Sequence, residues 1–181
     1  MNEYLDLTLI KDTWEAISDM IQKGPSGKNG ISSILLSAPG FDDDFDLFAG
    51  PFFAMLEAGV TAAFAEPLIG VVCFHPEYKT PDGGSWPGFG HMHSVPRLSK
   101  WVKENDTDLF ETIDETLISA GGAFQRRTPH ATINVLRAEQ LEAAEGRRST
   151  GILYSVNIRR LYEEGFDKLA DDLKKEQQLV V

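Results

Sequence analysis

The stretch Ile69-Gly-Val-Val-Cys-Phe-His-Pro76 decides how this chain folds. Ile69 to Phe74 carries no charge and is rich in β-branched residues, and so compact an apolar run predicts a strand buried on both faces, as in a parallel or mixed sheet. His75-Pro76 ends it. Upstream, Ile31 to Ala38 is a second β-branched and Leu-rich run, set between Gly30 and Pro39, and reads as another buried strand. Before it, Leu7, Ile10, Trp14, Ile17 and Ile21 fall at three- and four-residue steps, which predicts an amphipathic helix that Gly24-Pro25 ends. Between the strands, Asp42, Asp43 and Asp44 stand where they would cap a helix with Phe45, Phe48, Phe52, Leu56 and Val60 on its inner face. Pro51 kinks that helix or opens a restarted first turn.

Downstream, residues 79–95 form an irregular Gly/Pro-rich loop around Pro81-Asp-Gly-Gly-Ser-Trp-Pro-Gly-Phe-Gly90. Residues 96–125 read as a helical insertion. It holds one helix over Pro96 to Lys103, with Leu98, Trp101 and Val102 inward, and another over Asp108 to Ser119, with Leu109, Ile113 and Leu117 inward. Gly121-Gly122 breaks the pattern. Thr128-Pro129, an N-cap followed by proline, predicts a helix through about Glu145. A last helix is expected from about Ser155 to Lys175, with Ile158, Leu161, Leu169 and Leu173 inward. The expectation is a single α/β domain over residues 1–181: a small parallel or mixed sheet flanked by helices, with a helical C-terminal half.

The 181 residues are 42% apolar and 25% charged, near globular averages, which excludes a disordered tail. The longest uncharged apolar stretch, around Leu68 to Phe74, is too short to span a bilayer, so no membrane insertion is expected. A net charge of -11 argues against nucleic acid and anionic membranes, because phosphate binding needs clustered Lys and Arg. Cys73 is the only cysteine and cannot pair within the chain, which fits a reducing compartment. With a start, Met-Asn-Glu-Tyr, that lacks a basic and apolar leader, the expectation is a cytoplasmic or organelle-matrix protein that is not secreted.

Several residues stand where chemistry would need them. Cys73 and His75, two apart at a strand end, point the same way, and His91 and His93 form a second such pair beyond the loop. Together they make a chemically sensible zinc set; four residues of these types also arise by chance, with Cys73 simply buried. Arg126-Arg127 before the expected helix start offer two guanidiniums beside free N–H groups, an anion cradle, with Arg137 farther along. Tyr78, Trp86 and Phe89 would flank His75 if the loop folds over the strand end, giving a pocket with a titratable group; equally, they anchor the loop itself.

Two apparent motifs fail. Gly24-Pro-Ser-Gly-Lys28 lacks the glycine spacing of a phosphate loop and has Asn29 where Ser or Thr would hold magnesium. His130-Ala-Thr132 is half of a two-histidine phosphoesterase signature without its second half, which leaves His130 in the first turn of a helix, lining a cleft at most.

Phe74-His-Pro-Glu-Tyr78, Arg126-Arg-Thr-Pro129 and Val135-Leu-Arg137 together resemble an uncharacterised family, domain of unknown function 1415. Asn157-Ile158, Leu161 and Gly165 are similar to that family's closing segment. The resemblance covers Ile31 to about Tyr78 and Arg126 to about Gly165. It implies the fold and the choice of His75, Arg127 and Arg137, and it supplies no reaction. Arg126, Ala131 and Asn134 stand where the family has Asn, Pro and His, and the segment between the blocks is longer here. These replacements shift weight toward binding or assembly.

Three functions compete. The first is a strand-end site for a small anionic molecule, with His75 as catalytic acid/base or hydrogen-bonding group and Tyr78, Arg126, Arg127, Arg137 and His130 binding, with or without catalysis. The second is a non-catalytic module that docks a protein partner through Lys79 to Lys103 and their tryptophans. The third is a zinc-dependent hydrolase or lyase using Cys73, His75, His91 and His93.

Overall fold

The computed structural model describes residues 3–23, 30–86, 92–140 and 150–179, and the side chains from residue 8 onward within the first of these. It is an α/β chain with a three-stranded sheet and a helical C-terminal half. The chain, read above as one domain, divides into two compact units. Met1–His75 with His130–Ala144 forms the first, and Pro76–Pro129 with Glu145–Val181 the second.

The first unit holds helix α1 (Glu3–Gln22), strands β1 (Ser33–Ser37), β2 (Ile69–Phe74) and β3 (Thr132–Arg137), and helices α2 (Phe45–Leu47) and α3 (Phe53–Ala62). The strand order is β1-β3-β2 and both pairings are antiparallel, not parallel or mixed. β2 has the predicted bounds and is buried from Ile69 to Cys73. β1 lies where a strand was expected but is a half-exposed edge, with Leu35 67% exposed.

The largest correction is β3, since residues 128–145 were expected to open a helix. Thr132, Ile133 and Val135 are β-branched, and their burial alternates along the strand, inward at Ile133 and Val135. That period of two marks a strand, and pairing with both β1 and β2 makes it the central one. Pairing puts Ile34, Val135 and Val71 in one row and Leu36, Ile133 and Cys73 in the next, on the same side of the sheet.

Asp44 caps α2 by accepting from the Leu47 N–H at 3.0 Å. A π-helical stretch, Phe48–Phe52, with non-helical backbone at Gly50, absorbs Pro51 before α3. All five predicted inner residues, Phe45, Phe48, Phe52, Leu56 and Val60, are buried. The window Phe45–Ala62 is apolar enough by composition to cross a membrane, at a mean hydropathy of 1.2 over 18 residues, yet its inner face is core. On α1 the buried face is Leu9, Thr13, Ala16, Ile17 and Met20; Ile10 and Trp14 are half-buried and Ile21 exposed. Trp14 lies against α3, where a Cβ on Gly59 would come within 2.6 Å of its ring.

The described elements of the second unit are helices: α4 (Val95–Asn105), α5 (Thr107–Thr112), α6 (Glu115–Phe124), α7 (Thr150–Glu164) and α8 (Phe166–Leu179). Leu98, Val102, Leu109, Ile113, Ile118 and Ile158 form its core. Asp106 and Asp114 cap α5 and α6, dividing what was expected as one helix. Gly121-Gly122, expected as a break, lies inside α6, because a side chain at either position would strike Ile158 or Leu98. Gly165, at φ +92°, separates α7 from α8 within the expected last helix.

Candidate functional site

Within the first unit, the exit of β2 and the approach to β3 are tied to one turn. His75 is completely buried, with its ring 5.3 Å from Phe45 and 5.5 Å from Phe48. Its Nε2 lies 2.8 Å from the Phe41 carbonyl, and since a carbonyl only accepts, that nitrogen carries the proton. A wholly buried imidazole of this kind holds the turn in place.

The next residue of that turn, Asp42, holds the second histidine. His130 Nδ1 donates to Asp42 Oδ2 at 2.7 Å, and the Ala131 N–H donates to Oδ1 at 2.7 Å. Both side chains are mostly covered, at 12% and 15% exposure. A carboxylate orienting an imidazole is the arrangement by which enzymes fix a histidine tautomer. Here it also pins the start of the central strand, beside the Ala38 N–H bond to the Ala131 carbonyl at 2.7 Å. Sequence reasoning missed this pair because the partners are 88 residues apart. The one available signal was that a single aspartate of the three suffices to cap α2.

Arg137 is also in this unit, but far from His75. It pairs with Ile69 while Thr132 pairs with Phe74, so Arg137 and His75 lie at opposite ends of the sheet, about 20 Å apart at the usual rise per residue. Its Nε donates to the Ile31 carbonyl and its Nη2 to the Met20 carbonyl, both at 3.0 Å. Arg137 thus ties α1 and the entry to β1 onto β3.

The remaining candidates belong to the second unit. The Tyr78 side chain is buried, and its carbonyl accepts from Arg127 Nε at a long 3.4 Å. The Arg127 guanidinium lies 4.4 Å from the Phe124 ring centroid. Burial pushes its pKa down, and Glu77, acting through space, pushes it back. Arg126 Nη2 donates to the Tyr154 hydroxyl at 3.3 Å. Tyr154 and Trp101 flank His93, with ring centroids 4.6 and 4.8 Å away, and Arg97 lies over Trp101 at 5.1 Å. The cradle expected from Arg126-Arg127 keeps its two cations but has no helix N-terminus, since β3 takes that place.

Of the zinc set, Cys73 is buried in the core rows of the sheet, His93 stands between two aromatic rings, and His91 lies outside the described residues, as does Phe89. Among the described residues no group of three or more His, Cys, Asp and Glu is arranged to hold a metal ion. Of the aspartates expected to cap a helix, Asp42 ties the start of β3 and Asp44 caps α2.

No family model, no curated protein and no solved structure matches the chain. The resemblance in the Phe74–Tyr78 and Arg126–Arg137 segments therefore rests on the quoted residues alone.

Proposed function

We propose that the second unit binds a small anionic molecule through Arg127 and Arg126. The observation that carries this reading is Arg127. Its guanidinium is half-buried on Phe124, its Nε donates to the Tyr78 carbonyl at a long 3.4 Å, and Glu77 acts on it through space. Burial makes a guanidinium's charge costly, and a carboxylate or phosphate that accepts two N–H bonds offsets that cost. Arg126, the next residue, adds a second cation, with its Nη2 donating to the Tyr154 hydroxyl.

Charge distribution supports the same choice. The first unit carries thirteen Asp and Glu against four Lys and Arg; the second carries fifteen against thirteen. Nearly all of the net negative charge thus sits in the unit without the arginine pair. His75 and Arg137 fall outside this reading, since both are engaged by backbone carbonyls of the first unit. Docking through Lys79 to Lys103 draws less support, because Trp86 and Trp101 are both half-buried.

Calorimetry with inorganic phosphate and with succinate tests the proposal. Binding of either anion is expected, with Arg127→Ala weakening it by about 1.5–3 kcal/mol, the scale of a charge-assisted hydrogen bond. Arg127→Lys is expected to recover only part, because the forked donor geometry is lost. If neither anion binds, or Arg127→Ala binds as tightly as the wild type, the reading is wrong.

A further inference from the structure

The C-terminus of α3 closes in a way its sequence does not favour. The Phe64 N–H donates to the Thr61 carbonyl at 3.0 Å and the Ala65 N–H to the Val60 carbonyl at 3.1 Å, the paired bonds of a helix stop whose first outside residue must be left-handed. That residue is usually glycine. Here it is Phe64, at φ +52°, the one residue other than glycine with positive φ among those described. A bulky aromatic in this region is strained, and strain is normally offset by burial of the side chain. Phe64 is instead 86% exposed. Neither local backbone preference nor the packing of this chain accounts for it, and strained residues of this sort gather at functional surfaces.

Phe64 continues an apolar face. Met55, Ala58 and Ala62 follow one another along the outer side of α3, all exposed, and Leu68 is exposed just beyond the turn. The unit that carries this face is acidic, with thirteen Asp and Glu against four Lys and Arg, and Glu66 follows Phe64 by two residues.

We infer that the outer face of α3 and Phe64 form a docking surface for a protein partner that offers an apolar pocket rimmed by Lys and Arg. Charge complementarity selects that occupant: a second copy would set two acidic rims against each other, and an anionic bilayer would be repelled. Phe64 is the anchor, a large rigid side chain already held out by the backbone, and such aromatics carry most of the affinity at interface centres.

The test uses the whole chain and a synthetic amphipathic helix of about 18 residues built from Leu and Lys, with a Leu and Glu version as control. Fluorescence anisotropy is expected to show the Lys peptide binding and the Glu peptide failing to bind. Phe64→Gly is expected to weaken the Lys peptide about tenfold. The same variant is expected to raise the melting temperature, since glycine relieves the strain, so lost binding is not lost folding. A Glu66→Gln variant is expected to weaken the Lys peptide as well. Equal binding of the two peptides, or binding indifferent to Phe64→Gly, overturns the inference. So does a Phe64-dependent dimer in sedimentation, or Phe64-dependent binding to phosphatidylcholine vesicles, because each assigns the face to another occupant.

Discussion

His75, Arg137 and Asp42 each answer the same requirement, that a polar group taken out of water finds a partner. Their identities as polar residues in an apolar setting were legible in the sequence; their partners were not. The carbonyl held by His75 is 34 residues away and the histidine held by Asp42 is 88 away. Glu57 shows the opposite condition. Burial on α3 raises its carboxyl pKa. A native state that holds its proton more tightly than the unfolded chain loses stability as pH rises through the unfolded and then the folded pKa, and regains it on acidification. Glu57→Gln is therefore expected to melt at a higher temperature than the wild type at about pH 7 and to lose that advantage by about pH 4, below the usual glutamate value. Thermal melts at both values check this, and an advantage that persists at low pH would contradict it.

At the scale of the element, β2 was read correctly to the residue because an uncharged run of six between turn residues has few other outcomes. β3 was misread for a physical reason. Thr128-Pro129 has the chemistry of a helix start, and Leu136 and Arg137 blur the period-two pattern of Thr132 to Val135. Three-dimensional pairing with both neighbouring strands decided the matter, and no local signal carries that information. Gly121-Gly122 misled in the same way, since glycine marks a break in sequence but close approach in a packed helix. A Cβ at Gly122 would fall 2.5 Å from Leu98 Cδ1 and 2.7 Å from Thr80 Oγ1. Overpacking costs about 1–3 kcal/mol, against about 1 kcal/mol that alanine returns in helix propensity. Gly122→Ala is thus expected to lower stability by up to roughly 2 kcal/mol in denaturant unfolding. A neutral or stabilising result would mean that Leu98 and Thr80 yield easily.

For the whole molecule, composition gave a formal charge of -11 and no hint that it is unevenly placed. The division into two units reveals that asymmetry, with the sheet unit strongly acidic and the helical unit close to neutral. The arginine pair read from the sequence is the site proposed for binding, while Arg137, read with it, holds the Ile31 and Met20 carbonyls. That contrast gives the central claim its sharpest test. In an NMR titration with inorganic phosphate, observing the arginine Nε–H resonances, Arg127 is predicted to shift and saturate while Arg137 stays unmoved. Shifts at Arg137 with none at Arg127, or no saturable shift at either, would contradict the account.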